Sequence, residues 1–91
     1  MLTIKSTKKF KQDLKRILRQ GLNVDFLNEA VTKLANKEKL DEKYQDHALK
    51  GEWIGFRECH IAPNWLLIYR INNEELILTL TRTGSHSDLF E

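Results

Sequence analysis

Three histidines, His47, His60 and His86, lie in the C-terminal half of this 91-residue chain. Histidine, with an ordinary pKa of about 6.5, lets one copy accept a proton while another donates one at neutral pH. Cleavage of an RNA phosphodiester needs both roles, because the 2′-hydroxyl must lose a proton and the leaving 5′-oxygen must gain one. The guanidinium of Arg82 suits the remaining task, which is to meet the negative charge that develops on the phosphate. These residue types are compatible with a ribonuclease.

The same residues do not have the spacing of a metal site. The intervals between successive histidines are 13 and 26 residues, unlike the close pairs of structural zinc motifs. Cys59 adjoins His60, but neighbours on a strand point to opposite faces, so we interpret Cys59 as a small buried hydrophobe. The chain also lacks a P-loop, a dinucleotide fingerprint and a serine hydrolase elbow. We therefore expect neither a metal nor a cofactor.

Three aromatic residues are further candidates for the site: Trp53, Trp65 and Phe90. An aromatic face in an RNA-binding cleft can stack on a base. In a domain of this size, the simpler role is to fill the core or clamp the chain end. The sequence leaves both alternatives open.

Charge is distributed unevenly along the chain. The first twenty residues carry seven basic side chains against Asp13, a net charge of +6, which leaves −4 for the rest. A basic segment suits RNA or an acidic protein partner, although a solvated helix face looks the same. The candidate RNA-binding residues are Lys8, Lys9, Lys11, Lys15, Arg16, Lys50 and Arg57. No run reaches the roughly 20 apolar residues of a membrane span, and no secretory signal is present, so we expect a cytoplasmic protein.

Hydrophobic spacing predicts two helices and then strands. Apolar residues recur with helical period from Lys8 to a stop at Gly21, and again after a cap at Asn23 or Asp25. Residues 36–46 read as a loop. Alternating runs separated by turn residues follow; they are 47–49, 55–62, 65–71 and 76–83. The expected fold is α+β, with an N-terminal helical hairpin packed on a twisted, mainly antiparallel four-stranded sheet in one domain, 1–91; residues 2–4 are a candidate edge strand.

Several motifs in the C-terminal half occur in a characteristic order. They are Asp46–Gly51, Trp53, Phe56–Ile61, Pro63–Tyr69 and Arg82–Phe90. This series resembles the YafQ branch of the RelE/ParE toxin superfamily, and the basic helix before it agrees in order and length. The resemblance implies a RelE-like fold and a toxin of a type II toxin–antitoxin pair. It implies cleavage of mRNA, usually in the ribosomal A site, and silencing by a bound antitoxin.

The resemblance also assigns roles to individual residues. His47, His60 and His86 fall on the family's catalytic histidines, and Arg82 falls on its phosphate-binding arginine. His86 is expected to protonate the leaving oxygen, whereas the base is either His47 or His60. Trp65 and Phe90 fall on aromatic positions of the cleft.

One position departs from the family pattern. Asn64 stands where better-known members carry a catalytic aspartate, and an amide can orient a histidine but cannot accept a proton. Asp88 and Glu58 are candidates to replace that carboxylate. Two other functions remain as alternatives: a non-enzymatic toxin of the gyrase-poisoning type on the same fold, and a regulator that binds nucleic acid through its basic helix.

Overall fold

The chain forms one strand, two helices, four further strands and a last short helix. The computed structural model describes residues 1–90. The strands are β1 (Thr3–Ser6), β2 (His47–Ala48), β3 (Arg57–Ala62), β4 (Trp65–Asn72) and β5 (Ile77–Gly84). The helices are α1 (Lys8–Arg19), α2 (Val24–Ala35) and α3 (His86–Phe90), and single 3-10 turns lie at Glu42–Tyr44 and Gly51–Trp53.

The sheet has five strands rather than the predicted four. Its order is β1-β5-β4-β3-β2. β2 to β5 pair as antiparallel neighbours, as their short connections predicted. β1 runs parallel to β5, with Thr3 opposite Ile77 and Ser6 opposite Leu80. The edge strand proposed for residues 2–4 therefore exists, shifted by about one residue at its start and extended to Ser6.

Capping residues mark the ends of the two long helices. The Thr7 hydroxyl accepts a hydrogen bond from the Phe10 backbone N–H at 3.0 Å and so caps α1. Gly21, at a φ of 76°, takes the left-handed conformation beyond the helix end. Of the two candidate caps for α2, Asn23 is the one observed, since its side chain accepts from the Asp25 N–H.

The predicted helical hairpin needs correction. α1 packs chiefly on β5, and α2 packs on β3, so each helix contacts the sheet separately. Both contribute to one hydrophobic core with the sheet face that they cover. Phe26, predicted in the apolar stripe of α2, is 51% exposed instead.

The opposite face of the sheet carries a second, smaller cluster. Leu66 and Ile68 of β4 point to this face, where they pack with Leu89 of α3. α3 was not predicted, and it is the element that covers this part of the sheet. Among residues 1–90, no helix is both long enough and apolar enough to cross a lipid bilayer.

Candidate active site

Cross-strand register brings three of the predicted site residues to one face of the sheet. His47 lies opposite Glu58, Glu58 opposite Ile68, and Ile68 opposite Arg82. Residues directly opposite one another share a face, so these four form a row across the sheet. His60, two residues after Glu58 on β3, lies on the same face beside this row.

Glu58 links the two histidines of this face. Its Oε1 lies 3.5 Å from His47 Nε2 and 3.8 Å from His60 Nε2, and its side chain is only 8% exposed. A carboxylate buried to this degree stabilises an imidazolium more strongly than one in water. From the sequence, Glu58 was a candidate only as a replacement for the missing aspartate. The available signal was its position two residues before His60 on an alternating strand.

The backbone fixes the tautomer of His47. Its Nδ1 lies 2.7 Å from the carbonyl oxygen of Gln45. A carbonyl oxygen can only accept, so Nδ1 carries a proton and donates it. Nε2, the nitrogen that faces Glu58, is therefore the one that can take up or release a proton.

Asp13, a buried carboxylate on α1, pairs with the guanidinium of Arg82. Asp13 accepts from Arg82 Nε at 2.7 Å and from Arg82 Nη2 at 3.1 Å. It also accepts from the Thr83 backbone N–H at 3.2 Å. The hydrogen bond with Asp13 raises the pKa of the Arg82 guanidinium. This pairing leaves Nη1 of Arg82 available to a ligand.

The third histidine lies on α3 with an aromatic group. His86 is the first residue of α3 and is exposed. Its ring centroid lies 5.0 Å from that of Phe90, which in turn lies 6.2 Å from Trp53. α3 packs on the sheet face that carries the row. His86 therefore belongs to the same side of the molecule as the other three residues.

A comparison with known families decides the class of protein. A family model described as "Bacterial toxin of type II toxin-antitoxin system, YafQ" matches residues 2–91. The chain belongs to the YafQ toxin family. The resemblance seen in the sequence motifs is thereby confirmed, and so is the prediction of a toxin from a type II toxin–antitoxin system.

Individual relatives agree with this membership. The curated mRNA interferase toxin YafQ of Escherichia coli K12 is 34% identical over 82 residues, covering 89% of this chain and 87% of its own length. A crystal structure of metal-bound toxin from Helicobacter pylori is 48% identical with a TM-score of 0.94, covering 99% and 100% of the two chains. The YafQ chain in a crystal structure of the E. coli DinJ–YafQ complex is 32% identical with a TM-score of 0.90, covering all of both chains. The α+β fold class is confirmed.

Asn64, which the sequence comparison with the family singled out, forms no hydrogen bond to His47 or His60 among residues 1–90. It is exposed in the turn between β3 and β4. Asp88 caps α3 by accepting from the Ser85 N–H, and hydrogen bonds from Ser85 lower the pKa of its carboxyl. Of the two carboxylates proposed to replace the aspartate, Glu58 alone contacts His47 and His60.

Both predicted RNA-binding arginines form contacts within the protein. Arg16 Nη2 donates to the Thr83 carbonyl at 3.2 Å and lies 3.3 Å from Asp13. Arg57 points to the helix-covered face and is paired with Asp46, a hydrogen bond that raises the pKa of Arg57. Each guanidinium therefore has part of its donors engaged within the protein, and a role of these two arginines in RNA binding stays a prediction. The predicted lysines, by contrast, are exposed; they are Lys8, Lys9, Lys11, Lys15 and Lys50.

The structure separates core aromatics from surface ones. Trp65 is 2% exposed, and its indole N–H donates to the Thr83 hydroxyl at 2.9 Å. Of the alternatives that the sequence left open, Trp65 fills the core, and a direct contact with a base is disfavoured. Trp53 and Phe90 are half-buried on the row side of the sheet. Cys59 is fully buried, and this burial raises the pKa of its thiol to about 12, as expected for an inert hydrophobe.

Proposed function

We propose that this YafQ-family toxin cleaves mRNA by attack of the 2′-hydroxyl on the adjacent phosphorus. His47 Nε2 takes the proton of the 2′-hydroxyl as the new O–P bond forms. His86 donates a proton to the 5′-oxygen as its bond to phosphorus breaks, and Arg82 meets the charge of the phosphorane. The products are a 2′,3′-cyclic phosphate, which water opens to a 3′-phosphate, and a 5′-hydroxyl.

The observation that carries the proposal is the buried Glu58 carboxylate between two imidazoles. A histidine that removes a proton becomes positively charged, and a nearby carboxylate stabilises that charge. Glu58 thus supplies the electrostatic support that the amide at Asn64 cannot give. It lies beside the Nε2 atoms of both histidines and is almost inaccessible to a substrate, so it acts by stabilising the imidazolium charge and not by contact with RNA.

His47 is the better candidate for the base. Its side chain is 49% exposed, compared with 26% for His60. Its Nδ1 is also anchored to Gln45, so that Nε2 is presented in one tautomer. His60 then shares Glu58 and helps to orient the substrate.

The relatives of the chain support the partners that we propose for it. The DinJ–YafQ complex supports a cognate antitoxin for this chain, and the curated relative's designation as an mRNA interferase supports mRNA as the substrate. We extend this proposal to cleavage in the ribosomal A site of a cytoplasmic ribosome, where the exposed lysines bind RNA phosphates. We also propose that residues 1–91 form a single RelE-like domain. The mechanism requires no metal, although the H. pylori relative was crystallised in a metal-bound form.

Cleavage by purified protein tests the proposal. RNA is incubated naked and in translating ribosomes, with and without EDTA, and product ends are mapped. His86→Ala should reduce the rate by about 10²- to 10⁴-fold, as for loss of a general acid. Glu58→Gln should reduce kcat by roughly 10- to 100-fold, the loss expected when about 1.5 to 3 kcal/mol of stabilisation of a charged group is removed, whereas Glu38→Gln at an exposed glutamate should not.

Several results would contradict it. Cleavage that survives His86→Ala rules out the assigned acid, and cleavage abolished by EDTA rules out the metal-free scheme. Inhibition of gyrase by a protein that leaves both RNA substrates intact would identify the non-enzymatic alternative.

A further inference from the structure

We propose that a cavity beside Arg82 binds one nucleotide of the RNA next to the scissile phosphodiester. The cavity measures about 370 Å³ and lies between the start of α1, the end of β5 and the 3-10 turn at Gly51–Trp53. We call it the Trp53 pocket; its lining residues are Thr7, Lys8, Lys9, Trp53, Thr81 and Arg82. The inference rests on the proposed function, because it extends the substrate path of the same site.

Three cations border the Trp53 pocket. Lys8 and Lys9 are exposed, and within residues 1–90 neither forms a salt bridge. Arg82 commits Nε and Nη2 to Asp13, so its remaining donors on Nη1 are free. A phosphate that contacts Arg82 from this cavity therefore lies beside two further positive charges. Such a cluster attracts the RNA backbone regardless of sequence.

The same cavity offers an aromatic surface. Trp53 is half-buried and is held edge-on by Phe56, at 5.5 Å between ring centroids, and by Phe90, at 6.2 Å. An indole that its neighbours fix costs little conformational entropy when a base stacks on it. Stacking also tolerates any base, because every base has a π-face. The cations around this cavity match the phosphate of a nucleotide, and the indole matches its base.

The location of the pocket relates it to the catalytic row. Arg82 is both the last member of the row that starts at His47 and a wall of the Trp53 pocket. An RNA strand whose phosphate contacts Arg82 can therefore place its next nucleotide in this cavity. An acidic peptide would be drawn to Lys8 and Lys9 as well, but it would leave the indole without a partner. We therefore assign the pocket to RNA.

Binding of an uncleavable RNA tests the assignment. The probe is a fluorescein-labelled single-stranded RNA with 2′-O-methyl riboses, which lack the attacking hydroxyl, and the readout is fluorescence anisotropy. The double variant Lys8→Ala/Lys9→Ala should weaken the Kd about tenfold at 0.1 M salt, since two phosphate contacts are lost. The matched control Lys37→Ala/Lys39→Ala removes the same charge from exposed positions outside the pocket and should change the Kd less than about twofold.

Variants of Trp53 test the stacking component. Trp53→Ala should weaken RNA binding about tenfold, whereas Trp53→Phe, which keeps an aromatic face, should stay within about threefold of the wild type. RNA should quench the fluorescence of Trp53, and that quenching should be absent in Trp53→Phe, where the buried Trp65 remains as an internal reference. Thermal melts of each variant verify that it folds.

The outcomes separate the pocket from the catalytic mechanism. If the wild type binds RNA through Lys8, Lys9 and Trp53 but cleaves none, the proposed function fails and the pocket stands. If cleavage depends on His86 while the pocket variants retain the wild-type Kd, the pocket is refuted and the function stands. Equal losses in both lysine pairs, or a loss of affinity for an acidic antitoxin peptide with unchanged RNA binding, would also overturn the assignment.

Discussion

Asp13 shows how a single buried charge can determine the geometry of a site. The residue is 3% exposed, and a buried carboxylate is tolerated only when it is paired and hydrogen-bonded. Asp13 meets this condition with two donors of Arg82 and the N–H of Thr83. Because both its oxygens are used, the Arg82 guanidinium has one preferred orientation.

Replacement of Asp13 should therefore affect stability and catalysis together. Asp13→Ala leaves Arg82 and the Thr83 N–H without their acceptor, and we expect a loss of about 3 kcal/mol in the free energy of unfolding. Asp13→Asn keeps one acceptor oxygen, so its free energy of unfolding should fall by about half as much. Because the amide no longer fixes the Arg82 guanidinium, the cleavage rate should fall by about tenfold or more. Urea denaturation and single-turnover cleavage measure the two effects. The exposed Glu38→Gln serves as a control, and an Asp13→Asn protein with wild-type kcat would show that Arg82 needs no such anchor.

At this scale the residue types of the proposed reacting groups can be recognised in the sequence, but the contacts that support them cannot. Histidine and arginine have chemistry that can be recognised from residue type, and the family motifs place them. Glu58 was a candidate only to replace the missing aspartate, and Asp13 resembles an ordinary charged residue until its partner is known. Asp13 contacts Arg82 across 69 positions of sequence, and no local pattern encodes such a contact.

The elements were predicted where they are long and periodic. α1 begins at Lys8 and β4 begins at Trp65, as the hydrophobic spacing indicated. α3 has only five residues, too few for periodicity to detect. A local signal was nevertheless present, since the Ser85 hydroxyl accepts from the Asp88 N–H and the Asp88 carboxylate accepts from the Ser85 N–H, as in a capping box. Short helices are therefore better sought from their caps than from hydrophobic spacing.

The cap of α1 provides a test at the scale of elements. Thr7 accepts from the Phe10 N–H, as helix caps do, and its hydroxyl also donates to the Thr81 carbonyl at 2.6 Å. Thr7→Ala removes both bonds, so it should cost about 2 kcal/mol, at the upper end for a helix cap. Asn23→Ala at the exposed start of α2 removes a single bond and should cost about 1 kcal/mol or less. Denaturant titration measures both; equal losses would mean that the tie to β5 adds nothing.

At the scale of the whole molecule, the first strand joins the two halves of the chain. β1 pairs with β5, and the Leu2 N–H donates to the Ala35 carbonyl at the end of α2 at 2.8 Å. The Leu2 side chain lies in the core that both long helices share with the sheet. Hydrophobic alternation revealed a strand here, but not its parallel partner more than seventy residues away. The antiparallel pairs were accessible because their connections are short.

This arrangement predicts that the helices and the sheet unfold as one unit. Leu2, the residue before β1, is 3% exposed, whereas Ile4 within β1 is 42% exposed. Leu2→Ala should cost about 2 to 4 kcal/mol, as in other cores, and Ile4→Ala should cost less than about 1 kcal/mol. Far-UV circular dichroism follows the helices, and the fluorescence of Trp65 follows the core of the sheet. Both signals should give the same lowered unfolding midpoint in Leu2→Ala. Two separate midpoints would show instead that β1 stabilises the helices without being coupled to the sheet that carries His47, Glu58 and Arg82.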